Sequence, residues 1–313
     1  MTCRLRERRV AFRFLSVAIL CILAQSSLSS VVSASSYLSA PAETSRPKVV
    51  SDLDCRALDV DTSALQRALI APGERDPKAI MAQAFPSGPP LEKIKAGQEL
   101  DPASLCHYAD ANAHLPRNVK GRVVFVGDSI TEGWAKAAPN LFSGEVIDRG
   151  ISGQNSSQVL ARFRADVVGL RPAAVHIMVG LNDINLPSGT VLTRDNIASM
   201  VDIAKANGIT VVLASITPSD RFWPLPELRP AGEIRALNAW LKTFSVSQHI
   251  KFVDYYTSLA SVTGGFRPGL SNEGMHPNAR GYGIMTPIAK QAISRVMGSS
   301  SSSIRHNSAS TVK

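Results

Sequence analysis

The chain has 313 residues, a formal net charge of +9 and 44% hydrophobic residues, so it is long enough to bury a substantial core. Much of the charge lies in residues 1–34, which hold five arginines and one glutamate; without them, 279 residues remain with a charge of +5. This small excess, with no basic run interleaved with aromatic residues, argues against nucleic acid as a partner.

The N-terminus has the order of a secretory signal peptide. Arginines at positions 4 to 13 precede a largely apolar run at 14–24, and small residues then lead to Ala34. This order predicts a Sec-type signal peptide over residues 1–34 and hence a secreted or periplasmic protein. A membrane anchor is the alternative. Because the apolar run is well short of the ~20 residues that span a bilayer, we expect no stable membrane span after cleavage.

Residues 35–116 are predicted to form a linker followed by a helical N-terminal extension. The linker is rich in Ser, Ala and Pro up to about Arg46. Short amphipathic stretches broken by prolines follow, with too little apolar material for an independent core. After signal cleavage only Cys55 and Cys106 remain, and two cysteines in an exported chain favour one disulfide. They lack the close pairing of zinc ligands, so no metal site is expected.

Residues 117–297 are predicted to form the main domain, of the α/β class. Five β-branched runs are typical of strands buried on both faces, and amphipathic helical patterns separate most of them. This alternation predicts a parallel sheet in a three-layer α/β/α sandwich, with ligands bound beyond the carboxyl ends of the strands. The Ser-rich residues 298–313 are predicted to be disordered. The five runs are residues 122–126, 145–148, 174–179, 210–214 and 250–254.

Three turns after predicted strands carry residues suited to acyl transfer. Gly127 lets the chain turn into a helix that begins at Ser129, which is a candidate nucleophile or, as is commoner for serine there, a helix N-cap. Gly153 follows the second strand and either exposes its N–H or provides a positive φ in a turn. Asn182 follows the third strand and offers an amide donor or forms an Asx-type turn.

A fourth turn, after the fifth strand, carries Glu273 and His276. A carboxylate three residues before a histidine could accept from its Nδ1–H and orient the ring as a base. Asp254 and Asp183 are competing acids without this spacing. A lone histidine is more often structural, and His176, in the middle of the third strand, is expected to lie in the core.

Together, these turns resemble the four conserved blocks of the SGNH (GDSL-type) hydrolase superfamily, in sequence order. The resemblance covers about residues 117–297. Longer strings at 127–134, 195–200 and 236–241 are similar to a bacterial secreted lipase/acylhydrolase subgroup. The four blocks are Gly-Asp-Ser at 127–129, Gly153, Gly-Leu-Asn-Asp at 180–183, and Glu-Gly-Met-His-Pro-Asn at 273–278.

The resemblance implies the SGNH hydrolase fold, with a flavodoxin-like sheet ordered 2-1-3-4-5, and it implies roles for the site residues. Ser129 would be the nucleophile and His276 its general base. The oxyanion donors would be the N–H groups of Ser129 and Gly153 and the side chain of Asn182. The chain departs from the family at Glu273, where aspartate is usual; glutamate offers the same carboxylate as the orienting acid.

The resulting hypothesis is a secreted serine hydrolase, an esterase or lipase that cleaves carboxylic esters through an acyl-enzyme without cofactor or metal. The expected substrate is a short-chain acyl or acetyl ester of a small molecule, polysaccharide or lipid; the acyl length and the oligomeric state stay open. Loops 219–230 and 264–272 are expected to set specificity. The alternatives are an acyltransferase that uses the same residues and a catalytically silent carbohydrate- or lipid-binding module on the same fold.

Overall fold

The computed structural model of the chain describes residues 54–73, 75–117, 119–186, 189–222 and 229–308, without the side chains of residues 296 and 298–308. The predicted signal peptide and the predicted linker up to about Arg46 lie outside the described residues, as do positions 223–228 of loop 219–230.

Five short parallel strands form the central sheet: β1 (Val123–Gly127), β2 (Val146–Gly150), β3 (Ala174–Met178), β4 (Thr210–Ala214) and β5 (Lys251–Val253). Their order is β2-β1-β3-β4-β5, which confirms the order that the family resemblance implies. β1 and β3 are buried along their whole length, because helices cover both faces. In the register, Gly127 lies opposite Gly150 and Met178, so three chain segments leave the sheet side by side.

In the described part of the chain, five helices precede the sheet: α1 (Cys55–Leu58), α2 (Ser63–Ile70), α3 (Pro77–Ala84), α4 (Leu91–Leu100) and α5 (Ala109–His114). We call residues 54–114 the helical extension. Its own hydrophobic cluster is small and consists of Ala68, Leu69 and Ile80 with Leu65 beside them, as its sparse apolar content predicts. The predicted disulfide between Cys55 and Cys106 is present and joins α1 to the segment before α5.

The later helices are α6 (Ser129–Ala137), α7 (Ser156–Asp166), α8 (Gly189–Ala206), α9 (Ala231–Ser247), α10 (Tyr256–Leu259) and α11 (Ala279–Ser308). The connection from β1 to β2 and the next one, from β2 to β3, run in opposite directions across the sheet. Crossovers between parallel strands are right-handed as a rule, which places α6 and α7 on opposite faces. α6 packs against α11 and α2, and α7 packs against α8. The predicted three-layer sandwich is therefore confirmed.

The last helix differs from the expectation for the C-terminus. α11 is helical as far as Ser308, and so includes much of the Ser-rich stretch that composition predicts to be disordered. Serine is only a few tenths of a kcal/mol worse than alanine in a helix, so a helix anchored by its packed first turns can extend through such a stretch. Within the described residues, no helix is both long and apolar enough to cross a membrane.

Replacing both disulfide cysteines with serine should destabilise the folded protein without unfolding the sheet. The bridge joins cysteines 51 positions apart, so its loss should lower the free energy of unfolding by ~2–4 kcal/mol, because the unfolded chain regains entropy. Denaturant unfolding of the Cys55→Ser/Cys106→Ser variant measures this, and intact mass with and without reductant counts the thiols. Two free thiols in wild-type protein that has not been reduced would contradict the expectation. So would a variant whose free energy of unfolding equals that of wild type.

Candidate active site

Ser129 is the first residue of α6, directly after the carboxyl end of β1. The helix N-cap is Asp128, whose carboxylate accepts a hydrogen bond from the N–H of Ile130 at 3.0 Å. The interpretation of Ser129 as an N-cap is therefore wrong, and its hydroxyl is available for another partner. That partner is His276: Ser129 Oγ lies 3.0 Å from Nε2, and both residues are buried.

His276 lies in the turn before α11, and Glu273 holds it in two ways. Glu273 Oε1 accepts from the backbone N–H of His276 at 2.5 Å and lies 3.0 Å from its Nδ1. An ionised carboxylate can only accept, so Nδ1 is the protonated nitrogen of a neutral ring and Nε2 presents its lone pair to Ser129. Three residues from two turns thus form one hydrogen-bonded chain of serine, histidine and carboxylate, with the acid at the position that the sequence spacing predicts.

The two competing acids serve other partners. Asp183 accepts hydrogen bonds from the N–H and the hydroxyl of Ser156, the first residue of α7, and so stabilises the start of that helix. Asp254 accepts from the N–H and hydroxyl of Thr257 near the start of α10. Neither carboxylate contacts His276.

The protonation of His276 depends on opposing effects. Burial lowers the pKa of its imidazole, but the carboxylates around it, first Glu273 and then Asp128 and Glu132, outweigh burial and raise the pKa above 6.5. Burial also raises the pKa of Asp128 to about 6, although the Ile130 N–H partly offsets this. The site is therefore arranged to stabilise a positive charge on the imidazole.

The three predicted oxyanion donors lie at the same edge of the sheet. Ser129 begins a helix, so no intrahelical carbonyl accepts from its N–H. Gly153 has a φ of +78°, which favours glycine, and its N–H has no acceptor within the described part of the chain. Asn182 Nδ2 donates to the carbonyl of Gln154 at 2.9 Å, which leaves the second N–H of the amide. Asn182 therefore also braces the loop that carries Gly153.

Sequence reasoning missed Glu132, whose buried carboxylate holds the loop after β2. It accepts from the N–H of Ser152 at 2.7 Å and from the Ser152 hydroxyl at 2.5 Å. Ser152 directly precedes Gly153, so these bonds hold the residue next to the candidate oxyanion donor. Glu132 lies in the matched string at 127–134, but no local pattern shows that its side chain reaches a residue 20 positions away.

The helical extension completes this network. Thr62 Oγ1 donates to Glu132, and Gln66 Nε2 lies 2.8 Å from the Ser152 hydroxyl and 3.4 Å from the Ser129 carbonyl. Gln66 is almost fully buried, because α2 packs directly on α6. Two residues that precede the sheet by more than fifty positions therefore touch the turns that carry the candidate nucleophile and one of its oxyanion donors.

A second part of the extension contacts the same loop from another side. Tyr108 donates from its hydroxyl to the Gly150 carbonyl at 2.5 Å, and Gln154 Nε2 donates to the Ala103 carbonyl at 3.0 Å. The disulfide bridge joins Cys106, beside Tyr108, to α1, the helix before Thr62. It thereby ties together the two parts of the extension that hold this loop.

Among the other predicted residues, His176 lies in the core of the sheet as expected. It is fully buried, stacks on Phe125 and lies 3.0 Å from the hydroxyl of Tyr255, and burial lowers its pKa to about 3. Loops 219–230 and 264–272 contribute Arg221 and Arg267 to a polar cavity of about 480 Å³ that Glu273 also lines.

Comparison with known proteins agrees with this architecture. The GDSL-like lipase/acylhydrolase family matches residues 125–284. A Bacteroides fragilis structure described as an acylhydrolase is 43% identical with a TM-score of 0.61, over 63% of this chain and 99% of that one. A GDSL-like lipase from Bacteroides thetaiotaomicron is 41% identical with a TM-score of 0.59, over 62% and 98%. No curated protein matches the chain.

The family match spans about half of the chain and includes all five strands except the first residues of β1. The two bacterial structures are matched over nearly their whole length, at identities well above those that indicate a shared fold alone. The chain belongs to the GDSL-like lipase/acylhydrolase family.

Proposed function

We propose that the protein is an exported carboxylic-ester hydrolase that forms an acyl-enzyme on Ser129. The observation that carries this proposal is the hydrogen-bonded chain from Ser129 Oγ through His276 to Glu273 at the carboxyl edge of the sheet. A hydroxyl, a base and an orienting carboxylate in this order are what nucleophilic acyl transfer requires. Membership of an acylhydrolase family supports the same reaction.

In the first half of the reaction, His276 Nε2 takes the proton of Ser129 as Oγ attacks the ester carbonyl carbon. The carbonyl oxygen becomes negative and is stabilised by the N–H groups of Ser129 and Gly153 and by the amide of Asn182. Glu273 stabilises the imidazolium. His276 then donates its proton to the alkoxyl oxygen, the alcohol leaves, and Ser129 carries the acyl group.

In the second half, His276 takes a proton from a water molecule, whose oxygen attacks the acyl-enzyme. Collapse of that intermediate breaks the bond to Oγ, His276 returns the proton to Ser129, and the carboxylic acid is released. An acceptor hydroxyl in place of water would make the same residues an acyltransferase. The relative yield of free acid and transferred ester distinguishes the two outcomes.

The exported location is part of the proposal. Two observations support it: the basic, apolar and small-residue order of residues 1–34, and the disulfide, which persists in oxidising compartments. Sequencing the N-terminus of protein recovered from the periplasm or medium tests this; a start near Ser35 is expected.

Ser129→Ala should keep the fold and lower kcat for p-nitrophenyl butyrate by at least about a thousandfold, because only oxyanion stabilisation and binding remain. The matched control is Ser247→Ala, which removes an exposed hydroxyl on α9 and should leave kcat unchanged. Circular dichroism checks folding. Near-normal turnover by folded Ser129→Ala would refute the nucleophile.

Glu273→Gln should lower kcat by about tenfold or more with little change in KM, because the carboxylate acts on a charge that His276 gains during the reaction. His276 must be neutral to act as a base, and Glu273 raises its pKa. Removing that carboxylate lowers the pKa, so the acidic limb of the kcat/KM profile should shift to lower pH.

The control for this profile is Asp254→Asn, an equivalent loss of a carboxylate that serves Thr257 instead. Its acidic limb should coincide with that of the wild type. If Asp254→Asn shifts the limb and Glu273→Gln does not, the acid is misassigned. If neither variant changes rate or profile, Ser129 and His276 act as a dyad.

Gln66→Met should lower kcat by about tenfold and leave KM within about twofold, because it removes the donor to Ser152 Oγ while preserving side-chain length and burial. Gln83→Met on α3 is the matched control, since Gln83 is exposed and bonds only to Arg75 among the described residues. An unchanged kcat in Gln66→Met, or a change confined to KM, would reject a positioning role for Gln66.

A further inference from the structure

A cavity of about 380 Å³ lies between the helical extension and the loop that follows β2, and its size is typical of small-molecule sites. Its walls come from α1 to α4, from the segment around Cys106 and from residues 151–154. Gly153 lies in this wall, and a Cβ at this position would meet no atom within 4 Å. The cavity is therefore adjacent to a proposed donor for the ester carbonyl oxygen.

The wall is rich in apolar side chains that the folded protein leaves without full cover. They belong to neither hydrophobic cluster of the described residues. Covering such surface with hydrocarbon is favourable in proportion to the apolar area removed from water, so this wall favours an aliphatic ligand. These side chains are Leu58, Val60, Met81, Phe85 and Ile94, all of which are half-buried.

Several polar residues in the same wall already have partners. Asp59 pairs with His107 at 2.7 Å, and Thr62 donates to Glu132. Gln154 bonds to the Ala103 carbonyl on one side and to Arg162 on the other. Because these groups are satisfied, they gain less from a ligand than the incompletely covered apolar side chains do.

The position of His276 decides which half of an ester would reach this cavity. In the proposed mechanism His276 protonates the leaving alkoxyl oxygen, so the alcohol half lies on its side of the carbonyl. On that side Glu273 borders the polar cavity that contains Arg221 and Arg267. The cavity beside Gly153 has neither His276 nor Glu273 in its wall. The acyl half, which points away from the leaving group, is therefore directed toward the apolar cavity.

We propose that this cavity, the acyl cavity, binds the aliphatic acyl chain of the substrate, and that the helical extension thereby sets acyl length. The inference rests on the proposed esterase function. It narrows the substrate class to esters of medium-chain fatty acids such as octanoate, in place of the short-chain or acetyl esters that the sequence suggests. Most of the wall comes from residues that precede the family match at 125, so this specificity belongs to a segment outside the matched region.

The test is a chain-length profile of kcat/KM for p-nitrophenyl acetate, butyrate and octanoate, measured on the protein recovered from the periplasm or medium. Wild type should prefer octanoate to acetate by at least about tenfold, since each methylene that leaves water adds to binding. Ile94→Trp and, separately, Met81→Trp fill the cavity from α4 and α3. Each should lower octanoate hydrolysis by about tenfold and leave acetate hydrolysis within about twofold.

Val246→Trp is the matched control, because Val246 is exposed on α9 and lies outside the cavity wall. It should keep the wild-type profile. If wild type hydrolyses the acetate ester and gains nothing from longer chains, the acyl cavity is rejected but the esterase function is not. The same conclusion follows if both filling variants lose equal activity on all three esters. If wild type hydrolyses none of the esters, the esterase function fails, and the acyl cavity fails with it.

Discussion

The fully buried guanidinium of Arg162 joins the ends of the two strands on which the site depends. It donates to the carbonyls of Gly127, at the end of β1, and of Arg149, near the end of β2, each at 2.9 Å. Gln154 accepts from its Nε, and Asp166 balances its charge at 2.9 Å. A buried cation is stable only when it is paired and hydrogen-bonded. The partners of the Arg162 guanidinium must therefore keep their positions around it. The strand ends that lead to the candidate nucleophile and to its oxyanion loop are thereby fixed together.

The helical extension adds a second constraint from outside the shared domain. Gln66 and Thr62 reach the loop after β2 through Glu132 and Ser152, and Tyr108 holds the end of β2 itself. The extension has too small a hydrophobic cluster to fold alone, so it gains its stability from the same surface that it organises. The Cys55–Cys106 disulfide joins the two parts of the extension that contact the loop after β2. The acyl cavity lies between these parts and that loop. The contact between the helical extension and the main domain thus affects the stability of the fold, the positions of the site residues and the proposed acyl length of the substrate.

Local patterns predicted the sheet and the turns well, because both depend on short-range chemistry. The run at 122–126 matches Val123–Gly127 within one residue, since β-branched residues buried on both faces leave a continuous apolar signal. The contact between Glu273 and His276 could be predicted from their spacing, because one turn holds both residues. The alternative of Ser129 as a helix cap is wrong, since Asp128 is the N-cap and accepts from the N–H of Ile130. The network of Gln66 and Glu132 could not be predicted, because it joins residues 66 positions apart through tertiary packing alone.

Covalent labelling tests most directly whether Ser129 is a nucleophile activated by His276. Wild type is incubated with an alkyl fluorophosphonate, digested and mapped by mass spectrometry, beside Ser129→Ala and His276→Ala. One adduct is expected, on the peptide that contains Ser129. It should be absent in Ser129→Ala and should form at least about a hundredfold more slowly in His276→Ala. An adduct on another serine, or labelling of Ser129 at an undiminished rate without His276, would contradict this assignment.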